Sequence, residues 1–285
     1  MTVQIDGSKL TATSPEGAES ILPIADFARL VSSCHGDTRG IVLPNGVCAS
    51  IERGQVVIWI HETTPRIHAL RWIDPRSPVE YGAGTRYRTV HVALPYVIVM
   101  AVLVPAAGGR RLQLGRSNEC FFRVKPLRRL DDELFYPGLL NCSKFASPEG
   151  NPLSWICTQY LDWKRLSAET DPENAPRLGL EMLIRCLFET GFNYSSERHE
   201  ETSWYSESTK ADPRISPVER WEKHSLADPL FGLGVKWIPV GLSVLEVAER
   251  MFERHPRGAS VVRSAADVER LVFVHGRPVK GVPAR

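Results

Sequence analysis

The stretch that most constrains this chain is "VHVALPYVIVMAVLV", residues 90–104. It is apolar at successive positions and rich in β-branched residues, so as a strand it has no face to give to water and is predicted to lie buried. The overlapping stretch "VALPYVIVMAVLVPAA" (92–107), the most apolar of the chain, is too short to span a bilayer comfortably and holds prolines near both ends. After "PAAGGR" comes "RLQLGRSNECFFRV" (111–124), and the two runs are predicted to form a hairpin about the Gly-Gly turn. Upstream, residues 40–73 alternate β-branched runs with Pro-Asn-Gly and Arg-Gly turn signals, which predicts two or three short antiparallel strands.

Helical spacing enters elsewhere. "LPIADFARLVSSCHG" (22–36) places Ile24, Phe27, Leu30 and Val31 on one face, with Gly36 as a stop. "APRLGLEMLIRCLFETG" (175–191) has Pro176 in the first turn, an apolar face through Leu180, Leu183, Ile184, Leu187 and Phe188, and Gly191 at its end. Ser216 with Glu219, Ser243 with Glu246 and Ser264 with Asp267 have capping-box spacing and predict three later helix starts. "LSVLEVAERMFERH" (242–255) is amphipathic and is expected to pack on the domain, an appended docking element being the alternative. Between the predicted hairpin and the 175–191 helix runs a long stretch of little periodicity, and long irregular segments are disproportionately functional. Residues 192–214 read as a polar segment. Helix, strands, long loop, helix and helical tail make an α+β layout, unlike the alternation that builds a parallel sheet.

Bulk properties remove several function classes. Thirty-five Lys and Arg against 33 Asp and Glu leave a net charge of +2, no field for nucleic acid, and "KPLRRL" (125–130) reads as a solvated basic cluster. The six cysteines include no C-x-x-C pair, so neither a zinc ribbon nor a dense disulfide framework is expected. The N-terminus lacks the basic start and apolar run of a signal peptide. These features predict a cytoplasmic protein with free thiols and no membrane partner. "ERHEE" offers Glu197, His199 and Glu200 in irregular spacing with no second His, so no metal is expected there.

The long loop carries the sequence's sharpest question, Cys157 in "NPLSWICTQYL", which is either a space-filling thiol or a nucleophile. Around it the order of motifs resembles the catalytic half of ubiquitin-conjugating enzymes. There, a Tyr-Pro segment precedes His-Pro-Asn, an Ile-Cys-Leu segment carrying the thiol, a tryptophan and a helix. Here "FYPGLLN" supplies the Tyr-Pro and Asn141, "WICTQYL" the cysteine, Trp163 the tryptophan, and "LGLEMLIRCLFETGFN" the helix. The resemblance covers roughly residues 38–195 and extends to the bacterial branch that works beside a ubiquitin-like protein, an activating enzyme and a JAB-type peptidase, for which it implies a role in antiphage defence. It departs from the family in having Leu139-Leu140 for His-Pro, Thr158 for Leu, and sixteen positions from Asn141 to Cys157, so that "SKFASPEGNP" must loop out.

The resemblance implies a UBC-like antiparallel sheet packed by helices. Its core would span 38–214, between a lead-in (1–37) and a helical C-terminal extension (215–285) packed on the core. It further implies a transferase that accepts a ubiquitin-like protein as a thioester on Cys157 from an activating enzyme and passes it to a target lysine, with no cofactor of its own. Thiolate chemistry suits this, being both nucleophile and leaving group. Asn141 would donate to the oxyanion or hold its loop, and Cys157 is expected to be exposed at the rim of the sheet. Cys142 is the rival nucleophile. His199, Glu197 or Tyr205 could orient the incoming amine. Cys186 is expected in the core, and Trp155 and Trp163 as packed rings. Two other functions fit the same residues: a degenerate fold that only binds a ubiquitin-like protein or activating enzyme, and a thiol hydrolase pairing Cys157 with a distant histidine such as His199.

Overall fold

The computed structural model describes residues 2–15, 17–34, 43–72, 87–106, 111–144, 150–159, 161–189, 203–255, 268–269, 271–273 and 276–278. It is an α+β protein with mostly antiparallel sheets, and the chain divides into two compact units.

The first unit takes Met1–Ile41, Glu52–Val56 and His255–Arg285. Strands Thr2–Asp6, Lys9–Thr13 and Glu19–Pro23 form an antiparallel meander joined at its edge by Arg277–Pro278. Alternation along Lys9–Thr13 turns Leu10 and Ala12 inward, where they meet Leu22 and Val272. Helix Ile24–Cys34, predicted from its spacing, lays Ile24, Phe27 and Leu30 on this core.

The second unit, Val42–Ile51 and Val57–Arg254, holds the large sheet. Its order is Cys142–Ser143, Trp155–Ile156, Glu119–Arg123, Tyr96–Pro105, Val56–Thr63, Val47–Arg53. Leu112–Leu114 joins beside Tyr96–Pro105, and Glu133–Phe135 links Glu119–Arg123 to Pro239–Ser243. The apolar run lies at its centre: every residue from Val97 to Leu103 is fully buried. It does not make one strand, however. At Pro95, which has no N–H for a ladder, the run divides. Arg88–Leu94 turns away to pair with Arg66–Trp72 as a separate two-stranded ribbon, while Tyr96–Pro105 pairs with Val56–Thr63 and Glu119–Arg123.

Helix Val218–Ala227 covers the ribbon. Its Ser225 hydroxyl accepts from the Ala93 N–H (2.7 Å), and the Trp221 indole donates to the Ala93 carbonyl (3.4 Å). Gly232 seats the junction, because a Cβ there would lie 2.7 Å from the Ala93 oxygen and 2.8 Å from the Pro95 nitrogen. Helix Asn174–Phe188 forms as its apolar spacing predicts, burying Leu180, Leu183, Leu187 and Phe188.

Three boundaries differ from the sequence expectation. Residues 215–254 are part of the second unit, contributing strand Pro239–Ser243 to its sheet and burying Val244, Val247, Met251 and Phe252, whereas His255–Arg285 groups with the N-terminal unit. Neither unit has a limit at 215, where the C-terminal extension was expected to begin. The polar 192–214 segment contains helix Trp204–Ala211, capped by Ser203, whose hydroxyl accepts from the Ser206 N–H. Of the capping boxes, Ser243–Glu246 is complete, with both reciprocal bonds formed. At Ser216 the helix instead starts after Pro217 with no side-chain cap, and Ser264–Asp267 lies outside the described residues. Ser243→Ala should lower the second unit's stability by about 1 kcal/mol, read as a shifted urea midpoint at unchanged slope; an unshifted midpoint would show the cap to be idle. Among the described residues no helix is long and apolar enough to cross a membrane.

Candidate functional site

The loop around Cys157 folds into a short hairpin. Cys142 pairs with Ile156 and Ser143 with Trp155, antiparallel. One step beyond the ladder the Cys157 N–H donates to the Asn141 carbonyl (2.9 Å). Two residues sixteen apart in sequence thus face each other across this pairing. The returning arm is fastened to the next strand as well: the Cys120 N–H donates to the Ser154 carbonyl and the Ile156 N–H to the Asn118 carbonyl, both at 2.9 Å.

Position is as expected for these two residues, but side-chain roles are not. Asn141 is fully buried and its Nδ2 donates to the Leu187 carbonyl at 3.0 Å. Leu187 lies in the last turn of helix Asn174–Phe188, where carbonyls lack intrahelical partners. The Asn141 Oδ1 accepts a long contact from the Cys142 thiol (3.8 Å). Asn141 therefore ties the hairpin to the helix end, and the oxyanion-donor expectation gives way to loop support.

Cys157 is only 3% exposed. The exposed rim thiol is corrected: the hairpin packs against the end of helix Asn174–Phe188, whose Cys186 thiol donates to the Cys157 carbonyl (3.6 Å). Cys186 is core, as expected. Cys142 is fully buried, and burial, followed by the neighbouring Cys120 thiol and the Glu119 carboxyl, pushes its pKa well above that of a free thiol. It holds its proton at neutral pH and is corrected as a nucleophile. Tyr205 is also buried. Its hydroxyl donates to the Ile215 carbonyl (3.2 Å) and its ring meets Trp72 edge-on, so it does not orient an amine. His199 and Glu197 lie outside the described residues. Trp155 and Trp163 are half-buried rings that both meet Arg116: the Trp155 indole donates to its backbone carbonyl, and its guanidinium sits 5.1 Å over the Trp163 ring.

Beside the hairpin a cleft of about 240 Å³ opens between Leu161, Asp162 and Arg165 on one side and Met182, Arg185 and Cys186 on the other. Asp162 caps helix Trp163–Ala168 by accepting from the Arg165 N–H.

Sequence reasoning missed a buried ion pair next to this hairpin. Glu119 stands in the sheet opposite Trp155, fully buried, with Oε1 accepting from Arg254 Nη1 at 2.5 Å. Burial pushes its pKa up to about 7, against the pull of Arg254 and of the Ser154 N–H. Its Oε2 has no hydrogen-bond partner of good geometry among the described residues, and neither has the Ser154 hydroxyl. The available signal was an acid inside "NECFFRV", a run otherwise read as strand. Among the described residues no three metal-ligating side chains converge. No family pattern, curated protein or solved structure matches this chain.

Proposed function

We propose that this chain is a ubiquitin-conjugating-like scaffold that binds a ubiquitin-like protein or its activating enzyme without carrying the modifier as a thioester. The observation that supports this over catalysis is the burial of Cys157 at 3% exposure. Acyl transfer brings a modifier's C-terminal carbonyl carbon to bonding distance of the thiolate, and a sulfur under a helix end offers no such approach. The engagement of the Asn141 amide by Leu187 points the same way, because the oxyanion of a tetrahedral intermediate would find that donor already used. The family resemblance supplies the class of partner.

A second reading, the thioester carrier, is favoured by one observation: the hairpin brings Asn141 and Cys157 face to face despite the insertion. On that reading the Cys157 sulfur displaces AMP or a thiol from the activated carboxyl, and a lysine amine then displaces the sulfur. One experiment separates the readings. The protein is mixed with the ubiquitin-like protein, activating enzyme and ATP, then analysed by gel filtration and by gels with and without reductant. A complex without a reductant-labile adduct, equal in wild type and Cys157→Ala, is the expected result. An adduct that Cys157→Ala abolishes would establish the carrier instead. Cleavage of an isopeptide substrate would establish the hydrolase.

A further inference from the structure

The cleft beside the hairpin carries charges that its own residues do not fully pair. Its floor is apolar, with Leu161 and Cys186 buried and Met182 half-buried. Four exposed charged side chains stand at its rim. Two of them satisfy each other: Arg185 Nε and Glu189 Oε2 are 3.0 Å apart. The other two do not. Asp162 Oδ1 accepts the Arg165 backbone N–H at 3.0 Å. Among the described residues, Asp162 Oδ2 and the Arg165 guanidinium have no hydrogen bond or ion pair. As cap and third residue of helix Trp163–Ala168, their side chains stand on the same side of its first turn. The cleft thus offers one uncommitted cation and one uncommitted anion beside an apolar floor, with no net charge.

We propose that this cleft binds a free aliphatic α-amino acid of leucine or methionine size. Its carboxylate meets Arg165, its ammonium meets Asp162 Oδ2, and its side chain lies against Leu161, Met182 and Cys186.

Size, charge and floor chemistry each select this class. The cleft holds about 240 Å³. That is the room of roughly eight waters at ~30 Å³ each, below the ~300–1,000 Å³ of drug-sized ligand sites. An amino acid of about nine non-hydrogen atoms is of this size, and a peptide segment is not. A fatty acid would satisfy Arg165 but leave Asp162 without a donor, and an alkylamine would do the reverse. A zwitterion answers both, with the guanidinium fork matching the carboxylate through two parallel hydrogen bonds. The only polar group of the floor, the Cys186 thiol, already donates to the Cys157 carbonyl. A glutamate or lysine side chain would therefore be buried there without a partner, which selects against both. The site needs neither a ubiquitin-like partner nor a reactive Cys157, so it stands or falls apart from that reading.

Titration of the isotope-labelled protein, followed by NMR at the Leu161, Cys186 and Glu189 amides, tests it. L-Leucine and L-methionine should give saturable shifts with a Kd of about 1 mM or tighter. Isocaproate (leucine without its amine), isoamylamine (leucine without its carboxylate) and glycine should each bind about tenfold more weakly or worse. Arg165→Gln should weaken leucine binding about tenfold, to the level of isoamylamine. Asp162→Asn keeps a capping side chain and should lower it to the level of isocaproate. Both variants alter exposed side chains, so signals away from the cleft should stay in place. The proposal is overturned by the absence of saturable shifts at about 10 mM leucine. Equal binding of isocaproate, isoamylamine or glycine, or a leucine affinity unchanged in either variant, would overturn it as well.

Discussion

Arg254→Met destabilises the second unit by about 3–4 kcal/mol at pH 8, and by much less at pH 5, when unfolding in urea is followed. The substitution leaves the fully buried Glu119 carboxylate without its counter-charge, and breaking one side of such a pair is far more costly than replacing both. Proton linkage sets the pH dependence. The Glu119 pKa rises from 4.5 unfolded to about 7 folded, so between those values the folded state binds the extra proton. Wild-type stability is therefore greatest on the acid side of that window and is lost as pH rises through it, by about 3 kcal/mol in all. Removing Arg254 raises the folded pKa further, which places the added loss above neutrality. A penalty of the same size at pH 5 and pH 8 would mean that Glu119 carries no charge in the fold.

Trp221→Ala should cost about 4 kcal/mol, and Trp221→Phe distinctly less. Trp221 is fully buried between Tyr205 and Trp237, at centroid distances of 6.3 and 6.0 Å, and its indole nitrogen reaches the Ala93 carbonyl. Alanine leaves a cavity beneath helix Val218–Ala227 where backbone on both sides resists collapse. Phenylalanine keeps most of the ring contact but leaves the carbonyl without this donor. Thermal or urea unfolding measures both; equal losses would place the energy in the hydrogen bond and not in the ring.

Much of this fold was legible in the sequence because the relevant signals were local. Helices Ile24–Cys34 and Asn174–Phe188 follow from their apolar spacing, strands Val47–Arg53, Val56–Thr63 and Arg66–Trp72 from their turn residues, and the Ser243 cap from its box. What the sequence hid was long-range. Pro95 inside an apolar run marked a break, yet only the pairing of Arg88–Leu94 with Arg66–Trp72 shows where the chain goes. Strand Pro239–Ser243 was hidden because it pairs with Glu133–Phe135, about a hundred residues earlier. At the candidate site the family resemblance implied that Asn141 and Cys157 would meet despite their long spacing, and the Cys157 N–H does donate to the Asn141 carbonyl. Exposure could not be read, since it depends on the helix end that Asn141 grips. Glu119 and Arg254 were missed for the same reason, being 135 positions apart.

The division at Pro95 has a mechanical consequence. Leu94 is the last rung of the ribbon, opposite Arg66, and Tyr96 the first rung of the large sheet, opposite Arg123. One residue joins them, and it is buried. With one residue in that joint, displacement of either sheet by more than a rung pulls on the other, and the two are expected to unfold in a single transition.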